Sequence, residues 1–227
     1  MASSALDPTL APTGIVDADH PEVVSFARTH SEGCASDRER AVALYYAVRD
    51  GFRYDPYNAV VTPESLRASA TLELGRGWCV SKAILLAAAC RAIGIPARLG
   101  FADVVNHLST ERMRQSMETD VFYWHGYTSI HLPMEQGWVK ATPAFNIELC
   151  EKFGLLPLEF DGREDSLYHP FDREGQRHME YVNERGEYDD VPFEEIVATF
   201  RERYPKAMNA SMLSGDFDQD VESEIQI

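Results

Sequence analysis

Cys79 stands where a glycine-flanked turn, Gly75-Arg76-Gly77-Trp78, meets the apolar run from Val80 to Ile93. If a helix begins at or just after this cysteine, the unpaired N–H groups of its first turn point at the thiol, and the helix dipole favours thiolate. That would make Cys79 a nucleophile. The same N–H groups could hold the oxyanion of a tetrahedral intermediate, with Gly75 and Gly77 letting a substrate backbone approach closely. The competing reading is plain packing, because free cysteine is among the most buried residue types and an apolar helix is its usual home. Cys90 lies about three turns and about 16 Å further along the same face, so it cannot bridge to Cys79, and nothing marks it as reactive.

A nucleophilic cysteine needs a base, and two histidines lie in "VFYWHGYTSIHL". His125 and His131 share strand parity but stand about 20 Å apart, so only one can serve the site. The run "PMEQ" joins this segment to "GWVKATPAFN" as a hairpin turn. If Leu132 pairs with Gly137, paired numbers sum to 269. Ser129 then faces Lys140, Tyr127 faces Thr142, and His125 and Thr142 share a face as diagonal neighbours. His131 falls beside Trp138 at the turn end. A slip of one residue would turn the faces apart.

The elements that must position these residues follow from periodicity and stops. "HPEVVSFARTH" reads as a helix with Pro21 in its first turn, and "SDRERAVALYYAVRDG" as a second helix with Ser36 and Glu39 in a capping-box pattern. "FRYDPYN" is a short extended piece, since Pro56 disfavours helix at Asp55. Val80 to Ile93 should be a helix buried on most of its circumference, ended by Gly94 and Pro96 and followed by the strand "IPARLGFADV". A short helix is expected around "STERMRQSM" and another over "PFEEIVATFRERY". The stretch "DGREDSLYHPFD" reads as loops, with His169 and His178 at the surface, and Asp161, Glu164 and Asp165 as solvated acids.

A chain of 227 residues that is 44% hydrophobic can bury one substantial core, so a single domain is expected. The formal charge of -16 argues against nucleic acid or an anionic membrane surface as partner. No apolar run is long enough to span a bilayer. The N-terminal stretch lacks the basic and apolar regions of a secretory signal, and the four cysteines form no CxxC pair, which fits a reducing, cytoplasmic setting. No HxxH, HExxH or CxxC spacing supplies half of a metal site, so neither metal nor cofactor is expected.

"GRGWCVSKAILLAAACRAIGIPARLGFAD" resembles the block of the transglutaminase-like superfamily in which a cysteine opens a core helix that ends in a Gly-Ile-Pro-Ala-Arg turn. "HGYTSIHLPMEQGWVKATPAFN" is similar to that superfamily's histidine strand and glycine-tryptophan strand, and "FRYDPY" to a segment of its bacterial members. The resemblance covers about residues 20 to 150. It implies an α+β, papain-like transglutaminase-core fold, with N-terminal helices and a buried Cys-bearing helix packed on an antiparallel sheet. It also implies acyl transfer on a peptide or amide substrate, with Cys79 as nucleophile and His125 as base.

The third position departs from the pattern, because Thr142 stands where the superfamily has aspartate. Its hydroxyl can orient the imidazole but lacks the charge that stabilises imidazolium, and Asn146, about 13 Å further on, is the alternative orienter. Gly77, Trp78 and Tyr54 are candidates for the substrate and oxyanion side of the cleft, with core packing the competing role for Trp78 and Tyr54. The division expected is a flexible leader over 1–15, one domain over 16–205 with core motifs in 36–150 and an extension over 151–205, and a solvated acidic tail over 206–227. Hydrolysis is favoured over crosslinking because water is abundant, and a catalytically weak binding module is the alternative.

Overall fold

The computed structural model describes residues 7–57, 59–106, 109–135, 137–168, 173–175, 179–209 and 215–225. The first two helices fall where the capping signals place them, α1 at Pro21–Ser31 and α2 at Asp37–Gly51. Ser36 Oγ accepts the Glu39 N–H at 3.2 Å, while Glu39 reaches the Ala35 N–H at 2.7 Å, one residue beyond a strict capping box. A parallel pair, β1 (Arg53–Tyr54) and β2 (Arg76–Gly77), brackets α3 (Ala68–Leu74). Then comes α4, Cys79–Ala92, whose alanine- and leucine-rich side chains are buried all round.

The helix packs on one four-stranded antiparallel sheet built from β3 (Ala97–Asn106), β4 (Val121–Leu132), β5 (Gly137–Ala141) and β6 (Met179–Tyr188), in the order β5-β4-β3-β6. The architecture is therefore α+β. Short helices α5 (Glu111–Met117) and α6 (Ile147–Lys152) lie in the connections, and α7 (Phe193–Arg203), α8 (Pro205–Asn209) and α9 (Phe217–Ile225) follow the sheet. Leu132 pairs with Gly137 and Ser129 with Lys140, the register read from the sequence, and the His131 and Trp138 rings lie 5.0 Å apart. The ladder stops at Thr128 opposite Ala141. Thr142 does not continue it opposite Tyr127, because its N–H turns away to Ser166 O at 2.8 Å.

Three stretches differ from expectation. Residues 7–15 are not a free leader: Thr9 O accepts the Ala97 N–H at 2.9 Å, Ala11 O accepts from Arg91 at 2.8 Å, and Ile15 is buried. The acidic end is not wholly solvated either. α9 buries Phe217 and Val221, and its acids face basic residues, with Asp218 2.8 Å from Arg53, Asp220 2.7 Å from Arg112 and Glu222 2.7 Å from Lys152. Finally, "MEYVNERGEY" forms β6, an edge strand whose central residues Val182, Asn183 and Glu184 are exposed, so it has no apolar run to betray it. His169 and His178 lie outside the described residues. Among the described residues no helix is long and apolar enough to cross a membrane.

Candidate active site

Cys79 is the first residue of α4, as the turn before it requires. The Trp78 N–H donates to Ser81 Oγ at 3.0 Å, and Ser81 Oγ donates back to Trp78 O at 3.2 Å, which fixes the helix start. A Cβ on Gly77 would collide with Ser81 Oγ and stand 3.3 Å from Thr71 Cγ2, so Gly77 is glycine to let this cap pack on α3. Gly75 closes α3 in the left-handed region at φ 65°. These glycines build the turn. Gly77 faces a different hollow from the one at Cys79, whereas Trp78 and Tyr54 do line the Cys79 cavity.

Burial pushes the Cys79 thiol up to about 11, opposed by N–H groups of Gly126, Val80 and Cys79 itself. The helix start acts on the sulfur in the expected sense, but burial outweighs it. Burial thus favours a protonated thiol at neutral pH. Cys90 is buried deeper in the same helix, and its thiol is pushed up to about 12.

Cys79 and His125 line one cavity of about 90 Å³, and Gly126, the residue after His125, packs against the first turn of α4. A Cβ on Gly126 would lie 3.0 Å from Val80 Cα, so the absence of a side chain is what lets β4 come this close. We expect Gly126→Ala to lower the unfolding free energy by about 1–3 kcal/mol, measured by urea denaturation, because backbone rather than a flexible side chain must give way. Cys79 alkylation should slow in the same variant as the strand moves off the helix.

The approach to His125 is unusual. Between the pairs Ala102–His125 and Val104–Phe122, β3 has one residue, Asp103, and β4 has two, Tyr123 and Trp124. Trp124 is left-handed at φ 60°, a costly conformation for a bulky residue. Asp103 holds it by accepting the Trp124 N–H at 3.1 Å, and Arg185 pairs with Asp103 at 2.7 Å while its guanidinium covers the indole at 4.6 Å. Trp124 Nε1–H donates to Thr199 at 2.9 Å. A bulge of this kind sets the direction in which the chain enters the next residue. Asp103, Trp124 and Arg185 thus position His125, and sequence patterning gave no sign of them.

His125 also borders a second, smaller chamber of about 20 Å³ whose walls include Thr142. His125 thus borders both hollows, one with Cys79 in its wall and the other with Thr142. Thr142 is held through its backbone, and its Oγ1 is buried with no hydrogen-bond partner among the described residues. Asn146 is engaged elsewhere: its Oδ1 accepts the Tyr54 N–H at 3.0 Å and its Nδ2 donates to Glu148 at 2.7 Å. It braces the strand carrying Tyr54 rather than the imidazole.

One turn beyond Cys79, Lys82 is wholly buried. Its Nζ donates to Arg49 O at 2.9 Å, Phe52 O at 2.6 Å and Ala144 O at 2.7 Å. The first two are carbonyls at the C-terminal end of α2, so the ammonium caps that helix and ties it to the loop after Thr142. Burial pushes Lys82 down to about 7.

With the geometry in place, comparison gives it a family. The model for the transglutaminase-like superfamily matches residues 24–143, and the chain belongs to that superfamily. Among solved structures it is similar to one described as "a Putative Cysteine Protease from Cytophaga hutchinsonii", at 17% identity and TM-score 0.47, covering 63% of this chain and 43% of that one. It is also similar to the periplasmic domain of TgpA from Pseudomonas aeruginosa, at 21% identity and TM-score 0.42, covering 62% and 48% of the two chains. The chain thus spans less than half the length of either neighbour. No curated protein matches it.

Proposed function

We propose that this protein is a cysteine enzyme of acyl transfer on amide or peptide carbonyls, acting mainly by hydrolysis. The observation that carries the reading is the shared cavity of Cys79 and His125 at the start of α4. His125 takes the Cys79 proton, sulfur bonds to the carbonyl carbon, and backbone N–H groups beside the sulfur hold the oxyanion. Collapse of the adduct breaks the C–N bond. The amine leaves with the proton from His125, and water then cleaves the thioester and returns a proton to sulfur. The four cysteines are free, in keeping with a reducing compartment, and we place the protein in the cytoplasm. The test is turnover of acyl p-nitroanilides: Cys79→Ala and His125→Ala should each lose it, and an added alkylamine should not be incorporated. Unchanged turnover in Cys79→Ala would remove the mechanism.

A second reading, a binding module with little turnover, is favoured by Thr142 alone. A threonine at this position brings none of the negative charge with which a carboxylate stabilises imidazolium. Thr142→Asp is expected to raise kcat/KM at least about tenfold, by pairing a carboxylate with His125. No turnover in either form, both well folded, would favour the binding module.

A further inference from the structure

The cavity over Cys79 says something about the acyl group, if the reading above holds. Among the described residues, the fourteen that line it include no lysine, arginine, aspartate or glutamate. One wall is Met113 and Met117 from α5, and another is Phe122 from β4 with Phe200 from α7. Tyr204, also in the wall, has both roles of its hydroxyl occupied: it accepts the Tyr123 N–H at 2.7 Å and donates to Val121 O at 2.9 Å. What it presents to the cavity is therefore ring. The volume of about 90 Å³ is smaller than the cavity of about 150 Å³ that holds benzene, so the occupant is compact.

We propose that this cavity binds the side chain of the acyl group, that the group is aliphatic and about the size of leucine, and that Met113, Met117, Phe122 and Phe200 select it. A carboxylate or carboxamide of the same shape would meet mostly apolar walls, with no lysine or arginine among the described lining residues, and lose its hydration, which is costly in such surroundings. Selectivity therefore follows polarity at constant size.

Leucine, asparagine and aspartate are near-isosteric, so their N-acetyl chloromethyl ketones separate polarity from shape. Each alkylates a cysteine by forming a C–S bond with loss of chloride, and intact-mass spectrometry with peptide mapping gives the rate at Cys79. Iodoacetamide, which has no side chain, reports on the nucleophile alone. The leucine reagent should label Cys79 at least about tenfold faster than the asparagine one and about a hundredfold faster than the aspartate one. Met117→Lys, and separately Phe122→Arg in case the first variant does not fold, should narrow the leucine-to-aspartate ratio at least about tenfold by supplying a partner charge. Equal rates for the three reagents, or ratios unmoved in both folded variants, would overturn the pocket while iodoacetamide labelling left the nucleophile standing. Failure of iodoacetamide and all three ketones to label Cys79 would overturn the reading of the site and the pocket with it.

Discussion

Lys82→Met should lower the unfolding free energy by several kcal/mol, about 3–6, a large part of what holds a domain of this size together. The reason is not the lost charge. Three buried carbonyls, from Arg49, Phe52 and Ala144, meet the ammonium at 2.6–2.9 Å, and a thioether offers them nothing. Each orphaned carbonyl costs about 1–3 kcal/mol, offset in part by removing a buried cation. The wild type carries an independent signature. Because burial lowers Lys82 from its ordinary 10.5 to about 7, the unfolded chain binds the extra proton between these values. Stability from this group is thus complete above 10.5 and is lost as pH falls through 7. Between pH 7 and 8.5 the wild type should gain up to about 2 kcal/mol that the variant does not. Above that range the buried thiols act in the opposite sense, since unfolded cysteines ionise while folded ones keep their protons. Urea titrations of both proteins across pH 6 to 8.5 check the difference in slope.

The second large effect belongs to His125. Burial puts the Cys79 thiol at about 11, which is thiolate in about one part in ten thousand at pH 7, against about three parts in a hundred for an ordinary cysteine, unless a base takes its proton. The greater nucleophilicity of the more basic thiolate recovers about tenfold of that deficit. His125→Ala should therefore drop iodoacetamide labelling of Cys79 at pH 7 to about a thirtieth of the rate of glutathione, whereas wild-type Cys79 should exceed glutathione. Equal labelling of wild type and variant at Cys79 would mean that the histidine does not accept the proton. The pH dependence should separate them too, with the variant's rate climbing steadily toward pH 11 and the wild type's rising less steeply.

How much of this was legible in the sequence depends on whether a local rule was at work. The hairpin register holds from Leu132–Gly137 to Ser129–Lys140 because alternation and a turn fix it, and fails at Tyr127 and Thr142, where the chain turns away to Ser166; the helix start at Cys79 follows from the turn preceding an apolar run. Burial of that helix was visible, but its effect on the thiol was read with the wrong weight, since the dipole is a local property and desolvation is set by the whole fold. Lys82 carries no local signal of its role, because its three acceptors come from residues 30 to 62 positions away. The left-handed Trp124 has no sequence signature at all; the carboxylate of Asp103, supported by Arg185, and the bond from its indole N–H to Thr199 hold it there. α9 was hidden by its acids, although Phe217 and Val221, four apart, form the stripe that could have revealed it.

The central claim is that Cys79 becomes covalently acylated, and the direct measurement is the intact mass of the protein quenched in acid after mixing with p-nitrophenyl acetate. The account predicts one acetyl group per chain, mapped to the peptide containing Cys79, together with a matching burst of nitrophenolate, and neither in Cys79→Ala. A burst that persists in Cys79→Ala, or acetyl groups found only at other residues, would contradict it.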